Sequence, residues 1–218
     1  MAFWLAFAAP VYAQSEKAAE DPTKIATKAG VSYSDELYVS GSMAIGSKFK
    51  FNGRVSESGL WSIGASYLFP VAILTFSAAK NELDTGVEQT RYSLGGFAPL
   101  SRLGLKTGKW NVFVPFGYTY TKGQQAQADI DQDEEIPVAL SSSSAYVGLF
   151  GFRPLNAKLT LMAGGNWSKG TNDFSGVTLG GGLSYHLSKK DTLGLSGSYM
   201  DNSFGRKEQL RVSYRHEF

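Results

Sequence analysis

The chain has 218 residues, a formal net charge of +2 and charged side chains at only 18% of positions, which excludes the strongly basic surface typical of nucleic-acid-binding proteins. It has no cysteine, which excludes a disulfide framework, a thiolate metal site and a cysteine nucleophile. No uninterrupted apolar run reaches about 18 residues, the length of a transmembrane helix. Glycine is frequent, at 25 positions.

The first residues have the composition of a secretory signal peptide. Residues 2–9 are apolar, and Val11 and Ala13 suit the −3 and −1 positions that signal peptidase reads, so we expect cleavage after Ala13. No Lys or Arg precedes the apolar stretch, and we therefore interpret residues 1–13 as a signal peptide truncated at its N-terminus. Residues 14–36 are polar and rich in Ala and Lys, which predicts a periplasmic tether or a short helix.

From Leu37 onward, apolar residues alternate with polar or small ones, which is the period of β-strands. The pattern predicts an all-β chain in which residues 37–218 form an antiparallel barrel of about ten strands. Barrels of about eight or twelve strands are the alternatives, because strand 37–51 is long enough to be two and strand 72–79 has two similar faces. The predicted strands cover residues 37–51, 60–69, 72–79, 89–98, 109–121, 143–153, 157–168, 175–187, 191–201 and 207–218.

Two features favour a transmembrane barrel over a soluble sandwich. Short connectors alternate with longer polar ones, as the periplasmic turns and external loops of outer-membrane barrels do, with 99–108 as an exception. Large aromatic residues on the apolar faces cluster at the strand ends, which is typical of the girdles at the two bilayer interfaces. The predicted girdle comprises Trp61, Trp110, Tyr118, Tyr120, Trp167, Tyr185, Tyr199 and Tyr214.

The last nine residues, from Leu210 to Phe218, resemble the terminal strand of Gram-negative outer-membrane proteins. Such strands end in Phe with apolar or aromatic residues at alternate positions before it, and His216 departs from that pattern. The resemblance is to small barrels of the OmpA, OmpX and OmpW type. It implies location in the bacterial outer membrane and recognition of Phe218 by the barrel-assembly machinery.

The sequence offers little catalytic chemistry and no predicted cofactor. The strand register places His186 and His216 at the periplasmic rim, with no serine or carboxylate expected beside either. We therefore expect no enzyme, and a lipid- or peptide-hydrolysing activity ranks last. Asp129, Asp131 and Asp133 are weak candidates for a calcium site shared with lipopolysaccharide phosphates, because Glu134 stands where a calcium loop needs glycine.

The predicted inward face is rich in Gly and Ser and carries six charged residues. These are Lys48, Lys50, Arg91, Arg211, Arg215 and Glu217. We expect a non-enzymatic structural or surface-interaction role, in which the loop 122–142 makes contacts. The alternative is a narrow, porin-like channel with a mild preference for anions, since cations outnumber anions on this face. The expected partners are membrane lipid and lipopolysaccharide but no nucleic acid, and we expect a monomer.

Overall fold

Twelve antiparallel strands form one closed barrel in the computed structural model, which describes residues 17–84, 86–128 and 135–218. Each strand pairs with its sequence neighbours, and β1 pairs with β12 to close the barrel. No helix among the described residues is long and apolar enough to span a membrane. The strands are β1 Lys28–Tyr33, β2 Leu37–Ile45, β3 Phe49–Ser56, β4 Trp61–Leu68, β5 Ile73–Glu82, β6 Glu88–Pro99, β7 Asn111–Ala128, β8 Glu135–Pro154, β9 Leu159–Gly170, β10 Ser175–His186, β11 Asp191–Asn202 and β12 Gly205–Glu217.

The strand count corrects the expected ten to twelve. One extra strand arises because the predicted strand 37–51 is divided by a turn at Gly46, whose φ of 61° lies in the left-handed region that glycine adopts without steric cost. The other is β1, which lies within the predicted tether 14–36, so the barrel begins at Lys28 and not at Leu37. A strand of six residues, two of them Gly and Ala, is too short for alternation to reveal it.

Barrel closure depends on a close approach at Gly30. In the register of β1 with β12, Gly30 lies opposite Arg215, and Lys28 lies opposite Glu217. A Cβ atom at Gly30 would lie only 2.7 Å from the carbonyl oxygen of Tyr214, so a larger residue would push the closing strands apart.

Strand β1 begins and strand β12 ends at the same end of the barrel, which we call the terminal rim. The opposite end is the far rim. Five connectors lie at the terminal rim, the longest of which contains a 3₁₀ helix, Leu100–Leu103. The outward face carries large exposed apolar side chains, such as Leu210 at 68% exposed and Leu94 at 63%. Such a face is costly in water and suits a lipid bilayer.

The predicted loop 122–142 is instead largely strand. Residues 123–128 of β7 and 135–140 of β8 pair with each other beyond the last pairs that β7 makes with β6 and that β8 makes with β9. They therefore form a two-stranded ribbon that projects past the far rim. The sequence of this stretch shows no regular alternation of apolar and polar residues, so periodicity does not mark it as strand.

Candidate functional site: the barrel lumen

The lumen has two unlike walls. On the β5–β8 side, apolar side chains fill the interior near the terminal rim: Phe113 and Phe152 stack with ring centroids 6.0 Å apart, and Ile73 is fully buried. On the β9–β12 side, the inward positions are mostly Gly and Ser, which leave space. The small inward residues are Gly164, Gly180, Gly182, Ser184, Gly194, Ser196 and Ser198.

Three adjoining cavities occupy this space. The terminal cavity, of about 480 Å³, is lined by residues that include Lys28, Lys50 and Arg215. The middle cavity, of about 550 Å³, is lined by residues that include Arg91, Tyr146 and Phe150. The rim cavity, of about 190 Å³, lies near the far rim and includes Tyr38 and Lys207. Arg211 lines all three cavities, so one guanidinium group stands where they meet.

Residues 17–27, which we call the lumenal segment, cross the lumen near the terminal rim. On one wall, Lys50 of β3 donates to the carbonyl oxygen of Lys24 at 2.9 Å. On another, the carboxylate of Glu20 lies 3.6 Å from Nε2 of His186 in β10. Because four strands separate β3 from β10 around the barrel, the lumenal segment spans the lumen and narrows it.

The contacts of the lumenal segment are mostly hydrogen bonds to its backbone. Ser42 donates to the carbonyl oxygen of Ala26 at 2.9 Å, and Lys28 donates to that of Ala19 at 3.2 Å. Inside the segment, Asp21 accepts the backbone N–H and the hydroxyl of Thr23 at 2.7 and 2.6 Å, which fixes a local turn. The segment is thus a packed part of the described structure.

Most of the predicted lumen charges do face the interior. Lys50, Arg211 and Arg215 line the terminal cavity, and Arg91 lines the middle one. Glu217 is not free, because its carboxylate pairs with Lys24 at 2.8 Å and with Lys28 at 3.4 Å.

Lys48 is a correction to the predicted set. It lies exposed in the turn between β2 and β3 at the terminal rim, because the chain reverses at Gly46 and its side chain never reaches the lumen.

The sequence missed three inward cations, Lys28, Arg54 and Lys207. Lys28 and Arg54 were assigned to a tether and a loop, whereas they lie in β1 and β3. Lys207 lies at the start of a predicted strand and was not recognised as inward. Its ammonium donates to the carbonyl oxygen of Glu82. Inward parity along β12 was the signal that would have identified it, since Arg211 and Arg215 share that parity.

The positive charge of the lumen is largely uncompensated. Glu20 and Asp21 also line the terminal cavity. Among the described residues, however, no carboxylate lies within 4.0 Å of Lys50, Arg54, Arg91, Arg211 or Arg215. Charges in a confined, partly dry passage act more strongly than charges in bulk water, so this set attracts anions.

An apolar cluster partly covers the far end of the lumen. Leu83, Phe174 and Phe204 come from three different connectors at the far rim, and each is about 95% buried or more. The rings of Phe174 and Phe204 lie 5.7 Å apart, and Leu140 of β8 packs against the cluster.

The two histidines correct one expectation, and at His216 the order of the groups is not that of a nucleophile triad. Contrary to the prediction, each lies beside a carboxylate: His186 beside Glu20, and His216 with Nδ1 2.8 Å from Asp191. Asp191 also accepts the hydroxyl of Ser188, so the carboxylate stands between serine and histidine. A nucleophile triad needs the histidine in the middle, to take the proton from the hydroxyl.

The predicted aromatic residues lie at two levels of the outward face. Trp61, Tyr118, Tyr120, Trp167 and Tyr199 lie toward the far rim, and Trp110, Tyr185 and Tyr214 toward the terminal rim. Trp167 is 52% exposed. The hydroxyl of Tyr214 donates to Asp191 at 2.6 Å, so the Tyr214 ring has one apolar end and one polar end.

Several predicted features involve residues with little or no structural description. The signal peptide, residues 1–13, and the weak calcium candidates Asp129, Asp131 and Asp133 lie outside the described residues. Within the described ranges, no group of three or more His, Asp or Glu side chains is arranged to hold a metal ion. The side chain of Phe218 is 72% exposed, and its backbone N–H donates to Thr27 at 3.1 Å.

The fold is that of known outer-membrane barrels. The translocator domain of the autotransporter NalP from Neisseria meningitidis superposes with a TM-score of 0.55 and 15% identity, over 88% of this chain and 85% of that one. The β domain of the Bordetella autotransporter BrkA gives 0.52 and 14%, over 89% and 100%. A KdgM porin gives a TM-score of 0.49 and 13% identity, over 89% and 99%, too low to add to the argument.

No protein-family model and no curated protein sequence matches the chain. With its closed barrel, apolar outward face and structural similarity, the chain is a transmembrane β-barrel of the bacterial outer membrane. The finer resemblance to barrels of the OmpA, OmpX and OmpW type stays a prediction.

Proposed function

We propose that the lumen of this outer-membrane barrel is a narrow, anion-preferring passage and that the protein has no enzymatic activity. The observation that carries the proposal is the lumen itself: adjoining cavities of about 480 and 550 Å³ are lined by Lys50, Arg91, Arg211 and Arg215, with no described carboxylate within ion-pair distance. This geometry favours a channel function over the structural role that the sequence predicts.

The proposed passage has the terminal rim in the periplasm and the far rim outside the cell. Phe218 would serve the barrel-assembly machinery during insertion, and the outward face would contact membrane lipid and lipopolysaccharide. The lumenal segment narrows the passage from the periplasmic side. Small hydrophilic anions are therefore the proposed solutes, because the space beside the segment excludes larger ones.

Planar-bilayer recording of the purified full chain tests the proposal. We expect small, steady conductance with anion preference, and we expect Arg91→Glu to lower both, because it reverses the charge of a cation that lines the middle cavity. Arg206→Glu is the matched control, since Arg206 is exposed at the far rim and pairs with Asp201. A silent bilayer with folded protein would leave the channel without support.

A surface-interaction role is the second candidate, and the projecting β7–β8 ribbon favours it. Pairing between the two strands extends to Ala128 opposite Glu135, beyond every neighbouring strand. An isolated ribbon of this kind contributes little to barrel closure, so closure does not explain its length. Contact with a partner outside the cell would explain that length.

A further inference from the structure

We propose that Arg54 and Arg211 form a binding site for small oxyanions, carboxylate or phosphate, in the rim cavity. As a stopping place for a permeating anion, the site rests on the proposed passage. As a binding site it does not, because it is defined by side chains that are in place whether or not ions cross the membrane.

The first support for the site is a set of buried donors with no protein acceptor. Nε and Nη2 of Arg54, and Nε of Arg211, are inaccessible to solvent and make no hydrogen bond to any described residue. Buried polar groups in folded proteins are almost always hydrogen-bonded, and a charged donor is the costliest one to leave unpaired. These N–H groups lack an acceptor in the described protein, and an oxyanion bound beside the two guanidinium groups in the rim cavity would supply one.

The second support is that both guanidinium groups are held in place. The Arg54 guanidinium carbon lies 3.6 Å above the ring centroid of Tyr38, which covers one face of the group and leaves its N–H edges free. Nη2 of Arg211 donates to Oε1 of Gln209 at 2.6 Å, which fixes that side chain and leaves the Nε edge free. A planar edge of two N–H donors matches the two oxygens of a carboxylate or phosphate.

The third support is the charge and size of the rim cavity. Arg54, Arg211 and Lys207 line it and no carboxylate does; Lys80 also lines it, but its ammonium pairs with Glu88 at 2.6 Å. The nearest acidic residues that affect the two arginines, Asp35 and Glu36, lie in the β1–β2 turn beyond ion-pair distance. The volume of about 190 Å³ corresponds to roughly six water molecules, which suits a small anion.

The test is titration of the detergent-purified full chain with inorganic phosphate and, separately, with acetate, followed by calorimetry at constant ionic strength. We expect saturable binding of at least one of the two oxyanions, and the comparison shows which group is preferred. Sodium chloride should compete only weakly, because a spherical halide lacks the two oxygens that match the fork of N–H donors.

Two variants identify the site. Arg54→Lys keeps the charge but loses the planar donor edge, and we expect it to weaken oxyanion binding at least about tenfold. Arg206→Lys makes the same change at an exposed arginine that lines none of the three cavities and should leave binding unchanged. If Arg54→Lys does not fold, Arg211→Lys replaces it.

The outcomes separate this proposal from the channel. Binding that is lost in Arg54→Lys supports the site even where the bilayer stays silent. Anion current without oxyanion binding overturns the site and leaves the channel in place. Binding that is equal in wild type and Arg54→Lys, or that chloride abolishes, also overturns the site. Such binding would be explained by non-specific attraction of anions to positive charge.

Discussion

The ammonium of Lys24 lies 2.8 Å from the carboxylate of Glu217, so the lumenal segment is tied to the last strand of the barrel. Both side chains are about one-fifth exposed, and ion pairs of this kind contribute little to stability. The consequence is positional: the pair holds residues 17–27 across the terminal end of the lumen, and it uses the one acidic residue that β12 places on the inward face.

Removing the lumenal segment is expected to widen the passage. Deletion of residues 17–23 leaves β1 intact, and single-channel conductance should rise roughly twofold or more, because current follows the free cross-section. Heat-modifiable migration on a gel shows whether the deletion still forms a barrel. Unchanged conductance in a folded deletion would mean that ions do not pass where the segment lies.

A single substitution gives a finer version of this test. Lys24→Ala removes the pair with Glu217 and should increase current fluctuations, since the segment is less firmly held. Lys106→Ala is the matched control, because Lys106 is exposed in the connector between β6 and β7 at the terminal rim.

Glu36 predicts a pH dependence at the far rim. Burial alone would raise the pKa of this carboxyl group, but the backbone N–H of Ser58, which it accepts at 2.8 Å, holds the pKa below its ordinary value of 4.5. A lowered pKa stabilises the folded state at pH values above 4.5, and this contribution is lost as pH falls through the folded-state pKa.

The measurement is the temperature at which the heat-modifiable gel band converts, for wild type and Glu36→Gln. We expect the variant to convert at a lower temperature at pH 7, and the difference to shrink as the pH falls below 4.5 and the wild-type carboxylate is protonated. A difference that grows on acidification would contradict the assignment.

Gly30 tests the closing contact of β1 with β12. We expect Gly30→Ala to destabilise the barrel by about 1–3 kcal/mol, because the new Cβ atom would lie against the Tyr214 carbonyl. Gly41→Ala, in the neighbouring strand, places its Cβ atom 3.6 Å from the nearest atom and should cost less. Urea unfolding in detergent or lipid compares the two; equal losses would place the closure elsewhere.

The β7–β8 ribbon is expected to be dispensable for the barrel. Deletion of residues 124–139 keeps Leu140, which packs against the Leu83–Phe174–Phe204 cluster, and should leave gel migration and conductance unchanged. Failure to insert would show that the ribbon belongs to the scaffold. Normal insertion with lost attachment to cells or envelope components would favour the surface-interaction role.

Alternation made the outer part of the fold predictable from the sequence. Every strand that contacts lipid on one face must repeat every two residues, so the inward direction of Arg91, Arg211 and Arg215 followed from parity alone. The prediction was wrong where that constraint is weak. The alternation continues through the turn at Gly46, so it does not reveal that turn. The β7–β8 ribbon has no regular alternation to mark it as strand.

The candidate site was less predictable because its defining contacts are long-range. The lumenal segment has no periodicity, and its hydrogen bonds from Lys50 and Ser42 go to backbone carbonyl oxygens that no sequence pattern identifies. Likewise, the sequence placed Arg54 in a loop, so no pattern predicted that its guanidinium group stacks on the Tyr38 ring.

The reversal potential of the wild-type chain in a planar bilayer, across a tenfold gradient of potassium chloride, tests the anion-preferring lumen most directly. Because the lumen carries at least four inward cations without carboxylate partners among the described residues, we expect the sign that corresponds to chloride as the more permeant ion. A reversal potential of the opposite sign, from protein that migrates as a folded barrel, would contradict the account.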